Sequence, residues 1–229
     1  MTLPASIEQA RFNMIEQQIR PWDVLDPQVL ALLSVLHRED FVPASHQALA
    51  FVDMEIPLVA GAEAARQSGR CMLAPRVEAR MLQDVAPQPH EKVLEIGTGS
   101  GYMAALLGAR AGSVISLEID PQLAAVARAN LARAGVKNVE VREADGVRGL
   151  PAEGPFDVIV LSGSVAQVPE LLKDQLKVGG RLIAIVGDEP VMRAPLITRT
   201  GAAGFTQTQR WDTVAPRLAH FPEPVRFKF

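Results

Sequence analysis

The residues of this chain best equipped for chemistry stand at three points, each closing a short apolar run. The first is Glu95-Ile96-Gly97-Thr98-Gly99-Ser100-Gly101, where the run Val93 to Ile96 ends in three glycines at alternate positions. Glycine turns the chain tightly and lets backbone N–H groups approach a ligand. Helix-forming residues resume at Tyr102-Met103-Ala104-Ala105, so the loop lies at a helix N-terminus, the arrangement that receives nucleotide-type cofactors. The second point is Leu117-Glu118-Ile119-Asp120, where the Glu118 carboxylate, with Ile119 beside it, suits two ribose hydroxyls. The third is Ala144-Asp145-Gly146, where a carboxylate beside glycine can accept an adenine amino group. Taken singly, these are a tight turn, a solvated strand end and a turn signal. Their succession after three strands of one sheet is what points to a cofactor.

Spacing separates the ligand classes. No Gly-Lys-Ser/Thr follows any glycine at P-loop spacing, which disfavours ATP and GTP. The dinucleotide pattern G-x-G-x-x-G requires glycine at 102, where this chain has Tyr102. Glu118 also suits NAD, so it indicates a ribose without naming the cofactor.

The elements that must carry these residues alternate. Strands are expected at 92–96, 113–118, 138–143, 156–162 and 181–186, with helices at 101–110, 121–134 and 168–177. This predicts an α/β fold with a doubly wound, mostly parallel sheet. Gly135 suits a helix C-terminus and Gly179-Gly180 a turn before the last parallel strand. Upstream, residues 5 to 37 read as two helices with stripes Ile7, Phe12, Ile15, Ile19 and Val29, Leu30, Leu32, Leu33, Leu36, parted by Pro21. Residues 41–43, 53–58 and 59–74 read as irregular, the last a long binding-type loop, before a helix over 75–86. Leu196 to Thr200 and Phe205 to Trp211 are expected to pair as antiparallel strands, and the tail 224–229 to add an edge strand. The chain reads as a single domain over 1–229, comprising an N-terminal helical and acceptor-loop region (1–89), a cofactor-binding core (90–187) and C-terminal strands (188–229).

Composition narrows the setting. With 23 Lys plus Arg against 26 Asp plus Glu in 229 residues, and no block of like charge, no nucleic-acid partner is indicated. One cysteine, Cys71, excludes an intramolecular disulfide and fits a reducing compartment. No stretch approaches a membrane span and the N-terminus reads as no signal peptide, so the expected location is cytoplasmic, away from membranes. His37, His46, His90 and His220 lack ligand spacing, and no metal site is expected. Trp22 and Trp211 read as packing residues, and so does Cys71.

The pattern Glu-x-Gly-x-Gly-x-Gly resembles the first motif of class I S-adenosylmethionine-dependent methyltransferases. Over nearly the whole length, the chain resembles the protein-L-isoaspartate O-methyltransferase family of that Rossmann-like class. The resemblance rests on Met14-Ile15-Glu16-Gln17-Gln18-Ile19, Arg38-Glu39-Asp40-Phe41-Val42-Pro43, Asp53 to Leu58, Lys92 to Tyr102, Pro155-Phe156-Asp157, Gln175 to Gly180 and Val225-Arg226-Phe227. It implies S-adenosylmethionine as cofactor, held by Glu95, Gly97, Thr98, Gly99, Ser100, Gly101, Glu118, Ile119, Asp145 and Gly146. It implies as substrate a protein or peptide carrying isoaspartyl residues, methylated on the free α-carboxylate as a step of protein repair. The chain departs from the family before Pro75. The family's Gly-Gln-Thr-Ile-Ser-Gln-Pro is here Gly69-Arg70-Cys71-Met72-Leu73-Ala74-Pro75, with Cys71 and Leu73 at the catalytic-site hydroxyl positions. A carboxylate is already ionised at neutral pH and needs no base, so the substitution affects positioning. Arg66, Arg70 and Arg76 are the candidate replacement partners. Two alternatives stay open: the same cofactor with another acceptor, and a cofactor-binding protein that has lost catalysis. Nucleic-acid amino methylation is disfavoured, because Ser162-Gly163-Ser164 stands where such enzymes carry an Asn- or Asp-Pro-Pro-aromatic run.

Overall fold

The computed structural model describes residues 4–223, so the expected edge strand at 224–229 lies outside the described residues. The chain opens with α1 (Pro4–Asn13), which continues through a π-helical turn over Met14–Ile19 and a tight turn over Arg20–Trp22. Pro21 lies inside that continuing turn. The helix ends one step later, where Asp23 takes the left-handed conformation (φ 64°). The buried stripe is Met14, Ile15 and Ile19, whereas Ile7 and Phe12 are exposed. Helix α2 (Pro27–Val35) begins at Asp26, whose side chain caps the Gln28 N–H, and buries Val29, Leu30 and Leu33.

Residues 53–74 are more ordered than their sequence suggests. A two-residue strand β1 (Ile56–Pro57) and helix α3 (Ala62–Gln67) lead to strand β2 (Cys71–Met72), which pairs antiparallel with β1. Helix α4 (Pro75–Val85) follows with Val77, Met81, Leu82 and Val85 buried.

The remaining elements are β3 (Lys92–Ile96), α5 (Tyr102–Gly108), β4 (Ser113–Glu118), α6 (Pro121–Arg133), β5 (Val139–Glu143), β6 (Phe156–Val165), α7 (Glu170–Lys173), β7 (Leu176–Asp188), β8 (Val191–Arg199) and β9 (Phe205–Thr213). Seven strands form one sheet in the order β5-β4-β3-β6-β7-β8-β9. The first five are parallel and the last two antiparallel. Side chains alternate across the sheet, and both faces are covered. Val93 packs with Tyr102, Leu106 and the α4 residues on one face, while Leu94 and Ile96 pack with Phe156, Leu172 and Leu176 on the other.

Two expectations fail here for one reason. The helix predicted over 168–177 shrinks to α7, because the Gln175 carbonyl accepts the Phe156 N–H (2.8 Å) and draws the chain into the sheet. Leu176 consequently already pairs with Phe156, and Gly179-Gly180 lie at a register irregularity inside β7 rather than in a turn before it. The parallel strands end at one edge of the molecule, which puts Gly97, Glu118 and Asp145 side by side.

Candidate active site

At that edge lies a cavity of about 290 Å³, close to the lower end of ligand-pocket sizes. Its walls include Gly97 and Gly99 after β3, Glu118 and Ile119 after β4, and Asp145 and Gly146 after β5. Gly97 has φ +93°, and a Cβ there would come within 2.7 Å of Leu218 and 3.4 Å of the Ser162 carbonyl. Only glycine turns the chain and leaves that space open.

The acidic groups are fixed by the backbone. Glu118 accepts the Gly99 N–H on Oε2 (2.8 Å) and the Asp120 N–H on Oε1 (3.0 Å). Each oxygen keeps a further acceptor position, which suits a pair of hydroxyl donors. Burial pushes the Glu118 pKa up, with the Asp120 and Gly99 N–H groups working against it. Asp145 accepts the Val147 N–H on Oδ1 (3.0 Å), and its Oδ2 lies 2.8 Å from His220 Nδ1. Burial opposes that charge, but His220 and Val147 outweigh it and hold the Asp145 pKa below the usual range.

Four of the residues read as cofactor ligands stand behind the cavity wall. Glu95 is fully buried and accepts Ser116 (2.6 Å) from β4 and Ser162 (2.7 Å) from β6. Burial raises its pKa to about 8, against the pull of the two serines. Ser116 also lies 2.5 Å from the Thr98 hydroxyl, so this network ties the glycine loop to the two flanking strands. Thr98 and Ser100 are buried, and Gly101 packs on Ala127 of α6. These four position the loop rather than line the cavity.

Sequence reading missed the roof of the cavity. Arg217, Leu218, Ala219 and Phe221 cover it. Ser164 anchors this segment, donating N–H to the Pro216 carbonyl (2.7 Å) and receiving the Leu218 N–H (2.9 Å). Gly69 meets the same strap so closely that a Cβ would fall 2.1 Å from the Arg217 carbonyl. No periodicity in 214–221 signalled this, since the segment is held by single contacts.

Cys71 lines this cavity and also a second one of about 610 Å³, bounded by Trp22, Asp53, Glu55, Arg66, Arg76 and Asp212 among others. The β1–β2 ribbon is thus the wall between the two. Burial, and secondarily Glu55, raises the Cys71 thiol pKa to about 11. Leu73 lines neither cavity and is buried in the core beneath the wall. Its carbonyl accepts Arg38 Nη2 (2.8 Å), and Arg38, fully buried, also pairs with Glu78 and stacks over Tyr102. Arg70 pairs with Asp120 (2.8 Å), Arg76 with Asp53, and Arg66 with Glu189 (2.9 Å). Trp22 lies under the Arg76 guanidinium, 4.4 Å from its ring centre, and Trp211 is buried with its N–H on Asp84 (2.7 Å).

The family model for protein-L-isoaspartate(D-aspartate) O-methyltransferase matches residues 9–214. The chain belongs to that family. A protein-L-isoaspartate O-methyltransferase of Rhodopseudomonas palustris is 42% identical over 200 residues, 87% of this chain and 88% of the relative. One of Methanoculleus marisnigri is 42% identical over 177 residues, 77% of each. Among solved structures, a protein-L-isoaspartate O-methyltransferase superposes with a TM-score of 0.76 at 24% identity, covering 91% of this chain and 66% of that one. A Plasmodium falciparum structure described as a family member in complex with S-adenosyl-L-homocysteine superposes with a TM-score of 0.70 at 19% identity, covering 92% and 98%. These likenesses establish the fold. Within the family frame, the sequence Arg38 to Pro43 gains a structural meaning, because Arg38 is the buried cation that holds the wall from below.

Proposed function

We propose that this family member transfers a methyl group from S-adenosylmethionine to the α-carboxylate of isoaspartyl residues in protein or peptide substrates, in the cytoplasm. The observation that carries the reading is the pair of cavities sharing Cys71 as a wall residue, one built on strand ends and the other open to an acceptor. In the first, the Gly97 and Gly99 backbone would receive the amino-acid end of the cofactor, Glu118 the ribose hydroxyls and Asp145 the adenine amino group. When bound, the cofactor would supply a methyl on a positively charged sulfur, a group that a carboxylate could accept with a neutral thioether as the leaving group.

The chain's own part is alignment. An acceptor carboxylate with a pKa of ~4 is ionised at neutral pH, so no general base is needed at the wall. Cys71, with its thiol pKa pushed up to about 11, stays protonated and does not compete as nucleophile. Leu218 and Phe221 give the first cavity an apolar side. The test is transfer of radiolabelled methyl to an isoaspartyl peptide beside the matched aspartyl peptide. Base-labile label on the first alone is expected. Background label on both, with the cofactor still bound in equilibrium dialysis, would overturn the acceptor and leave the donor.

A further inference from the structure

The two hydroxyls that the family places before Pro75 are absent, and Leu73 does not reach either cavity, so an acceptor carboxylate must be received by something else. Three arginines stand near the wall. Arg70 lines the donor cavity and is paired with Asp120, which is itself nearly buried. Arg76 is held twice, by Asp53 and by the face of Trp22. Arg66 differs from both. It projects from α3 to the border between the acceptor cavity and a neighbouring one of about 430 Å³ that holds its partner Glu189, its charge acts on both the Cys71 thiol and the Glu55 carboxyl, and its one ion pair is solvent-exposed. The Arg66 and Glu189 side chains are 54% and 60% exposed, and pairs of that kind are nearly free to exchange.

We propose that Arg66 is the acceptor-carboxylate receptor of this enzyme, releasing Glu189 to take the substrate's carboxylate bidentately beside Cys71. This rests on the carboxyl-methylation reading. A guanidinium offers a planar fork that matches a carboxylate, which hydroxyls supply only singly. Glu55 lines the same cavity with no hydrogen bond or ion pair of its own among the described residues, and the Arg66 charge acts on its half-buried carboxyl. Helix α3 thus adjoins both cavities: Arg66 lines the acceptor cavity, and Ser68, Gly69 and Arg70, directly after it, line the donor cavity.

The test compares Arg66→Gln with Glu189→Gln, which remove the same ion pair. Two readouts are used: methyl-ester formation on an isoaspartyl peptide, and equilibrium binding of that peptide to the protein loaded with S-adenosylhomocysteine. Arg66→Gln is expected to raise KM and Kd about ten- to a hundredfold, the value of a lost hydrogen bond to a charged group, with Arg66→Lys between it and the parent. Glu189→Gln is expected to lower both, since it frees the cation, and cofactor affinity is expected to stay unchanged in all three. If the two Gln variants shift KM and Kd equally, Arg66 only tethers α3 and the proposal fails. It fails too if Arg66→Gln leaves both values at the parent's. A parent that makes no ester yet binds the peptide through Arg66 overturns the methylation reading and leaves this site standing. A parent that neither methylates nor binds the peptide overturns both.

Discussion

The donor cavity and the acceptor cavity share one wall and are built on opposite principles. Around the first, the acidic groups are aimed chiefly by the backbone: the Gly99 and Asp120 N–H groups aim Glu118, and the Val147 N–H, with His220 on the other oxygen, aims Asp145. Around the second, they are fixed by other side chains, with Arg76 on Asp53 and Arg66 on Glu189. A parallel sheet dictates the first set, because its strands must end together and its glycine turn must open there. Nothing in the sheet dictates the second. Side chains around the second cavity can therefore change while the first cavity and the fold stay as they are.

The wall between them is where this contrast breaks most sharply. Arg38 is the buried cation that joins the Leu73 carbonyl, the Ala50 carbonyl (3.2 Å) and Glu78. Removing one partner of a buried pair leaves an uncompensated charge, so Arg38→Met is expected to cost about 3–5 kcal/mol in urea unfolding. Replacing Arg38 by Met and Glu78 by Leu together is expected to recover most of that. A cost below about 1 kcal/mol for the single change would show that the wall does not depend on the pair.

On the donor side, Gly97→Ala must accommodate φ +93° and a Cβ 2.7 Å from Leu218. The expected loss is about five- to 150-fold in cofactor affinity, from strain of the order of 1–3 kcal/mol. Glu118→Gln keeps the shape and removes the charge that accepts hydroxyl donors, for which a ten- to a hundredfold loss is expected, from about 1.5–3 kcal/mol. Both are measured by calorimetric titration with S-adenosylhomocysteine. Peptide affinity that falls in parallel with cofactor affinity would dissolve the distinction between the cavities.

The same contrast decides what could be read from the sequence. Gly97, Gly99, Glu118 and Asp145 were legible because short apolar runs that stop at glycine or a carboxylate locate strand ends, and parallel topology brings strand ends together. Glu95, Thr98, Ser100 and Gly101 were legible as a motif but not by role, since burial behind the loop is a fact of packing. Helix α3 was not legible: Ala62-Glu63-Ala64-Ala65-Arg66-Gln67 has helix-forming residues but buries Ala65 alone, so no apolar period marks it. Leu218 and Phe221 were hidden for the opposite reason, being apolar residues in a segment with no period at all. Family likeness located Cys71 and Leu73 as a pair, yet adjacent strand positions point to opposite sides, and residues two apart need not share a cavity where a strand ends at Met72.

Glu95 offers a finer separation, because it acts on the donor loop without touching the cavity. Its folded pKa of about 8 lies above the ordinary value of 4.5, so the folded state binds the extra proton. That contribution to stability is complete below pH 4.5 and is lost as pH rises through about 8. Glu95→Gln keeps the hydrogen-bonding shape without the ionisation, and is expected to flatten stability against pH over this window by at most about 1.4 kcal/mol per pH unit. Urea midpoints at pH 5 and pH 8 measure it. Glu118, raised in the same direction, remains to give a residual slope. An unchanged slope would mean that Glu95 is charged in the fold and that the serine network holds a carboxylate.

The smallest effect is expected at the residue that both cavities share. A thiol at Cys71 could serve as nucleophile, as hydrogen-bond donor or as packing. Burial, with Glu55 nearby, pushes its pKa up to about 11, which removes the first role at physiological pH. A neutral thiol is a weak donor, so Cys71→Ala is expected to lower kcat/KM by at most about fivefold, the ~1 kcal/mol of a neutral hydrogen bond. Alkylation of Cys71 by iodoacetamide is expected to be slow at pH 8 and to accelerate only as pH approaches 11. A hundredfold loss in the alanine variant, or alkylation that titrates near pH 8, would make the wall itself chemically active. Recognition of the acceptor would then belong to Cys71, and the side-chain logic assigned to Arg66 would have to be rebuilt around a thiolate.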